Sequence, residues 1–298
     1  MSTATRLLRA LSLLALVPAL AACVSVTREP RAVLLDDHGQ TRAAILACDS
    51  AGYRMVRATA GPALDPDAIR VLTWNIHKQA DAGWDRDLAR FVRDHDLVLL
   101  QEATLDPALR GIIERGGLRW AMASSFERDD RDVGVLTAAP VAASATCTSR
   151  VTEPLLRLPK SAVVSWFPLA GTDQTLAVVN VHAVNFSLSL GAYREQMDAL
   201  GDALEAHRGP IVFAGDMNTW TPMRVAAVEE VTARLGLTPL AFQDDCRTAF
   251  MGHQLDRIYV RGLELVDATA IRVTSSDHNP VRATLRLPVQ ARVAERHS

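Results

Sequence analysis

The chain has no block of lysine and arginine, no CxxC pair and no cysteine–histidine cluster at zinc-ligand spacing. The first absence weighs against tight non-specific binding of duplex nucleic acid, which draws on many phosphate contacts. The second excludes a structural zinc module. Aromatic residues make up only 5% of the sequence, which leaves little surface for base stacking. Internal repeats and low-complexity tracts are also missing. What remains is an ordinary globular composition, 49% hydrophobic and 22% charged over 298 residues, enough for one large domain.

The N-terminus reads as a targeting segment over residues 1–22. Arg6 and Arg9 precede an apolar stretch from Ala10 to Ala22, too short for a comfortable membrane span and interrupted by Pro18. It ends in Leu20-Ala21-Ala22-Cys23, which resembles the bacterial lipoprotein signal, and the resemblance implies lipidation of Cys23. Val24 in place of an acid after that cysteine is associated with the outer membrane. The expected location is therefore the bacterial envelope, on the periplasmic side, with the membrane reached through Cys23. Removing residues 1–22 takes two arginines and no acid from 32 basic against 34 acidic residues, so the formal charge falls from −2 to −4. Three further cysteines, Cys48, Cys147 and Cys246, would then face an oxidising compartment. One disulfide plus one buried thiol fits this number, with the pair left open by the sequence, and a buried small apolar residue is an equally good reading of any one of them.

Residues 23–66 read as a tether and lead-in, 67–288 as the catalytic domain and 289–298 as a polar tail. Short apolar runs at Ile69–Trp74, Asp96–Gln101, Val133–Thr137, Ala162–Phe167, Leu176–Val181 and Ile211–Ala214 read as buried strands. Arg257–Val260 and the alternating Val281, Ala283, Leu285 and Leu287 add strands at the end. Helical spacing recurs through Trp84, Leu88 and Phe91/Val92, through Tyr193, Met197, Leu200 and Leu204, and through Val225, Val228, Val231 and Leu235. Many strands with helices in only some connections predict an α/β fold of mixed sheets covered by helices.

The polar residues that end these strands carry the chemistry. Asn75 and Glu102 follow two of them; a carboxylate at a strand end is costly to desolvate unless it meets a cation. Gly215-Asp216-Met217-Asn218 could form a simple tight turn. It could also aim Asp216 at a water and Asn218 at a phosphoryl oxygen. Asp256 paired with His278 would fix its tautomer and favour the imidazolium, and His182 would add a second donor. Lys78, Arg157 and Lys160 are candidate phosphate contacts, and Phe186 and Trp220 are candidate stacking groups or loop anchors.

Trp74-Asn75, Gln101-Glu102, Asn180-Val181-His182, Gly215 to Asn218, Leu255-Asp256 and Ser276-Asp277-His278 resemble, in order, the motifs of the endonuclease/exonuclease/phosphatase superfamily (the deoxyribonuclease I-like fold). The stretches Glu153–Ser161, Val179–Ser187 and Ser276–Pro280 resemble its YafD-like bacterial branch. The resemblance implies a four-layer α/β/β/α sandwich of two mixed β-sheets flanked by helices. It also implies a divalent cation, Mg²⁺ with Mn²⁺ as substitute, on Glu102 with help from Asn75 or Asp277. His182, Asn218 and His278 would hold phosphoryl oxygens, Asp256 would orient His278, and Asp216 would align the water. Asn75, His77, Asn185 and Arg157 would contact substrate. His77 stands where several nucleases carry an acid. The expected function is a metal-dependent phosphoric ester hydrolase, a phosphodiesterase or nuclease, on a nucleic acid, lipid or small-metabolite substrate. A non-catalytic envelope protein that uses the fold to bind phosphate or metal is the alternative.

Overall fold

The computed structural model describes residues 24–26, 33–37, 48, 61–187, 189–243 and 245–289. The leader, Cys23, most of the tether and the tail after residue 289 lie outside the described residues. Among the described residues no helix is long and apolar enough to cross a membrane.

The strands are β1 (Val24–Ser25), β2 (Val33–Asp36), β3 (Ile69–Asn75), β4 (Leu97–Thr104), β5 (Arg119–Arg128), β6 (Arg131–Ala139), β7 (Ala145–Thr152) and β8 (Pro159–Pro168). They continue as β9 (Thr175–His182), β10 (Ile211–Asp216), β11 (Thr238–Pro239), β12 (Ala249–Phe250), β13 (His253–Gln254), β14 (Asp256–Arg261), β15 (Glu264–Ala270) and β16 (Val281–Arg286). The helices are α1 (Trp84–Asp94), α2 (Pro107–Arg115), α3 (Gly191–Leu204) and α4 (Pro222–Arg234).

One sheet has the order β1-β5-β6-β4-β3-β16-β15, with β2 also on β5; the other has the order β11-β14-β10-β9-β8-β7. Strands β3 and β4 pair in parallel across α1, and β9 and β10 across α3, whereas the other strand pairings are antiparallel. Alternation assigns the layers. Val71, Leu97 and Leu99 join Val178, Val212 and Ala214 in a core between the sheets. Their neighbours Leu72, Trp74, Val98 and Leu100 point the other way, onto Leu88 and Phe91 of α1 and Leu109 and Ile113 of α2. On the second sheet Ala177, Val179 and Val181 meet Tyr193, Met197 and Leu200 of α3 and Val228 and Val231 of α4. Strands buried on both faces give the near-continuous apolar runs of the sequence. The expected four layers are present.

Caps set two of the helix starts. Asp106 accepts from the Leu109 amide at 2.8 Å ahead of Pro107, and Thr221 takes the same place ahead of Pro222. The third expected helix is corrected in one respect. In α4 the buried face includes Arg224, while Val225 is only half-buried.

Cys48 bonds to Cys147 across a sequence separation of 99, and Cys246 is a free thiol. Closing a loop of that length restricts the unfolded chain. Cys147→Ala should lower unfolding free energy by about 4 kcal/mol in urea titration; an unchanged midpoint would show that the bridge restrains nothing. Burial next to Arg261 pushes His207 down to about 4, despite its hydrogen bond to the Pro210 carbonyl. The unfolded chain then binds the extra proton between about pH 6.5 and 4, so stability falls as pH falls through that window, by at most about 3 kcal/mol. In His207→Gln that part of the acid limb should flatten; an identical acid limb would contradict the assignment.

Candidate active site

Three neighbouring strands place three site residues on one rung. His182 ends β9 opposite Asp216, the last residue of β10, and Asp216 lies opposite Asp256, the first residue of β14. Residues opposite one another on adjacent strands face the same side, so their side chains meet at one rim. From the other sheet, Asn75 ends β3, and Nδ2 of its amide donates to Asp216 Oδ2 at 3.0 Å. The Ser276-Asp277-His278 turn is pinned over this rim. Ser276 Oγ donates to the Asn75 carbonyl (2.6 Å), and Trp74 Nε1 donates to the His278 carbonyl (2.9 Å).

Glu102 reaches the rim by a different device. Strand β4 shifts register between Leu100 and Ala103, and Glu102 adopts φ 51° at that irregularity. A bulge with a left-handed non-glycine residue turns a side chain out of the pleat at a local cost in strain. A second left-handed run, His77-Lys78-Gln79, brings the Lys78 ammonium into hydrogen-bonding contact with Glu102. Gln79 holds that turn by exchanging two hydrogen bonds with the Thr104 backbone.

The electrostatics divide the cluster. Burial would raise the Glu102 carboxyl, but His182, Lys160 and Lys78 outweigh it and hold Glu102 at about 2. Burial and the Lys160 ammonium drive His182 down to about 3 against the pull of Asp216 and Glu102, so at neutral pH it is an uncharged imidazole. Lys160 Nζ lies 2.8 Å from His182 Nε2, which therefore accepts. His278 is the opposite case. Burial opposes its charge, but Asp256, at 2.8 Å from Nδ1, together with Asp216 raises it to about 10. His278 is thus an imidazolium whose Nε2 stands 3.9 Å from Asp216. His182 Nε2 is 3.5 Å from Asp216 and 3.7 Å from Glu102.

Several of the expected residues have partners within the protein. Asn218 (φ 47°) donates its amide to the Ala183 carbonyl and its backbone N–H to Asp216 Oδ1, so it positions Asp216. His182 is neutral, and the cation beside it is Lys160. Asn185 spends its side-chain oxygen on Trp220 Nε1 and forms part of the wall. His77 lies at the mouth between Asp81 (2.8 Å) and Asp277 (3.9 Å), and Asp277 is largely exposed there. Arg157 stands exposed on the β7–β8 turn and lines no part of the cavity beside Glu102.

Two residues that the sequence reading did not single out hold the walls. Glu153, buried, accepts from the Asn185 and Phe186 amides and lies 4.0 Å from Lys160. Arg224, buried, donates to the carbonyls of Val184, Asn185 and Asn218 between the rings of Tyr193 and Trp220.

A family model described as the endonuclease/exonuclease/phosphatase family matches residues 72–278, more than half of the chain. The chain belongs to that family. A UPF0294 protein of Yersinia pseudotuberculosis is 40% identical over 223 residues, 72% of this chain and 82% of the relative. This bears out the YafD-like branch. Among solved structures, the human Nocturnin catalytic domain with bound sulfate superposes with TM-score 0.58 at 18% identity, covering 79% of this chain and 99% of that one. A mannosyl-6-phosphatase of Bacteroides thetaiotaomicron gives 0.57 at 15%, covering 73% and 99%. At such identities these structures show the fold alone, the deoxyribonuclease I-like sandwich.

The family is metal-dependent, and the donor set here fits a divalent cation. Asp216, Asp256 and His278 bring ligand atoms within 4.8 Å of one another, and Asp256 Oδ1 is buried without a hydrogen-bond partner. Such an orphaned oxygen is what a cation or ordered water satisfies. Protonated His278 offsets only one of the two carboxylates at that corner, and an imidazolium is no ligand. Ionised Glu102, which also meets Lys78 and Lys160, and Asp277, with the Asn75 side-chain oxygen that accepts from the His77 amide, are the oxygen donors that would suit a hard ion on the side the sequence suggests.

Gly215, just before Asp216, has φ 142°, and a Cβ there would meet the Val181 carbonyl at 2.0 Å. Gly215→Ala should cost several kcal/mol of stability by forcing β10 off β9, read as a lowered Tm. A variant with the parent's Tm would contradict this packing.

Proposed function

We propose that this protein is a divalent-metal-dependent phosphodiesterase that works outside the cytoplasm. One observation carries the reading. Buried Asp216 lies within 3.5 Å of neutral His182 and 3.9 Å of protonated His278, with ionised Glu102 at 3.7 Å from the same His182 nitrogen. Neutral and charged imidazoles around one carboxylate form an acid–base site with fixed positive charge for a phosphate.

In this reading Lys160 and the His278 Nε2–H hold two phosphoryl oxygens. Asp216, oriented by Asn75 and the Asn218 amide, aligns a water and takes its proton. The water oxygen bonds to phosphorus as the bond to the leaving alcohol breaks, and the departing oxygen is protonated from solvent at the open mouth. Glu102, with Asn75 and Asp277, would hold a cation, which when bound polarises the phosphate and shields the leaving oxygen. His182 stays uncharged and receives the Lys160 proton donor, fixing that ammonium. No covalent intermediate on the protein is required.

The lipoprotein-like leader supports an envelope location with Cys23 as the membrane anchor, and the Cys48–Cys147 bridge supports an oxidising compartment. The geometry gives no support to a non-catalytic binding module: an anion site needs Lys160 and His278, but not a buried acid aimed between the histidines.

The purified protein should hydrolyse bis(p-nitrophenyl) phosphate with Mg²⁺ or Mn²⁺ and stop in EDTA. Glu102→Gln, Asp216→Asn and His278→Gln should each lower kcat by about a hundredfold or more while unfolding cooperatively. Variants as active as the parent would remove the assignment.

A further inference from the structure

Among the described residues, Leu155, Leu156, Phe186, Met223, Phe250 and Met251 are 48% to 69% exposed, as are Val266 on β15 and Val289 beyond β16. Leu155, Leu156, Phe186 and Met251 sit on loops, Met223 in the first turn of α4 and Phe250 at the end of β12, all near strand ends that carry the site. Leu155 and Leu156 lie between β7 and β8, where Pro159 begins the strand that pairs with the His182 strand. Phe186 follows that strand, and Met223 opens α4 after the Asp216 strand. Phe250 and Met251 form the tip of the β12–β13 hairpin, just before Asp256.

Contacts join these loops. Trp220 donates to Asn185, the neighbour of Phe186, and its ring meets Phe250 at 6.4 Å, edge to face. Thr219 donates to the Gln254 carbonyl of the hairpin (2.6 Å). Leu156 and Phe186 also line a cavity of roughly 130 Å³ whose polar floor is Lys78, Glu102, Lys160 and His182. Leu156 and Phe186 therefore border the cavity, and the contacts of Thr219 and Trp220 tie the hairpin that carries Phe250 and Met251 to the same end of the molecule.

Soluble proteins rarely gather exposed apolar groups at one place unless something covers them. The chemistry of the set selects the cover. Four of the six, Leu155, Leu156, Met223 and Met251, have no ring to stack on a base, and only Phe186 and Phe250 do. Aliphatic tips of this kind enter the acyl boundary of a bilayer, and an exposed arginine beside them, Arg157, can extend to lipid phosphates. The cavity is two-natured in the same sense, with the ion-paired Lys78, Lys160, Glu102 and Glu153 at its floor and Leu156, Leu158 and Phe186 at its wall.

The geometry points to a bilayer phospholipid as the substrate, its headgroup phosphate reaching Lys160 and His278 while these side chains sit in the lipid surface. The proposal rests on the phosphodiesterase reading above and narrows it to a substrate class. The bond broken joins phosphorus to the glycerol oxygen; the water oxygen takes its place on phosphorus, the glycerol oxygen is protonated from solvent, and the products are a soluble headgroup phosphomonoester and a diacylglycerol.

Two measurements on the full chain test it, using phosphatidylethanolamine–phosphatidylglycerol vesicles with Mn²⁺. In Leu155→Ser/Phe250→Ser/Met251→Ser, release of phosphate product from the vesicles should fall at least tenfold, while the rate on bis(p-nitrophenyl) phosphate stays within twofold of the parent. Equal losses on both substrates, or an unchanged vesicle rate, would overturn the proposal. So would faster cleavage of single-stranded DNA that falls in the same variant, which assigns these side chains to nucleic acid. Separately, the added emission of Met251→Trp should be quenched by brominated acyl chains, and that of Leu265→Trp, on edge strand β15, should not. Equal quenching of the two, or none, would overturn the membrane contact. Quenching at residue 251 with no turnover of any phosphodiester would uphold the contact and sink the enzymatic reading instead.

Discussion

The hydrogen bond from Asn75 to Asp216 joins the ends of two sheets, and the site exists only while those ends stay level. Neither sheet holds a complete set of groups. One supplies Asn75 and Glu102, the other His182, Asp216 and Asp256, and the loop before β16 adds His278. Beneath them a polar seam crosses the otherwise apolar interior. Gln101 Nε2 donates to Asn180 Oδ1 (2.7 Å) and to Thr73, while Asn180 Nδ2 donates to the Leu136 carbonyl at 2.9 Å. Apolar contacts between sheets are tolerant of sliding, whereas a buried amide pair has one satisfactory register. The seam thus fixes the offset that the Asn75–Asp216 contact needs.

Charge is distributed by the same logic. Two imidazoles lie on either side of one carboxylate, yet one is held neutral and the other protonated. The difference comes from their second neighbours, an ammonium for His182 and a carboxylate for His278. Such opposed shifts within one pocket are how acid and base roles are separated. The walls add a further layer, since Glu153 and Arg224 spend buried charge on backbone groups of the loops after β7, β9 and β10. Those loops carry Leu155, Leu156 and Phe186, so this part of the entrance is anchored by buried residues.

Much of this was legible in the sequence because it is written in periodicity and order. Apolar runs ended by Asn75, Gln101-Glu102, His182 and Asp216 located the strands and the rim together. The elements that escaped have weaker signatures. Strand β7 is rich in Thr and Ser, β15 is an exposed edge strand, and α2 has only its Asp106-Pro107 cap to announce it. Glu153 and Arg224 escaped because a charged residue in a loop or on a helix is ordinarily solvated, and only the fold reveals its backbone partners. The contact between His182 and Lys160 also needed coordinates, since the two are 22 residues apart and meet only through the β8–β9 pairing. The disulfide required the same information.

The central claim is that Glu102 and the Asp216–His278 pair serve one phosphate. A crystal of the protein with Mn²⁺ and a non-hydrolysable phosphonate diester tests it most directly through anomalous scattering. The account predicts a manganese peak bonded to Glu102, with phosphonate oxygens on Lys160 and His278. A manganese ion bound away from Glu102, or a phosphonate that does not touch His278, would contradict it.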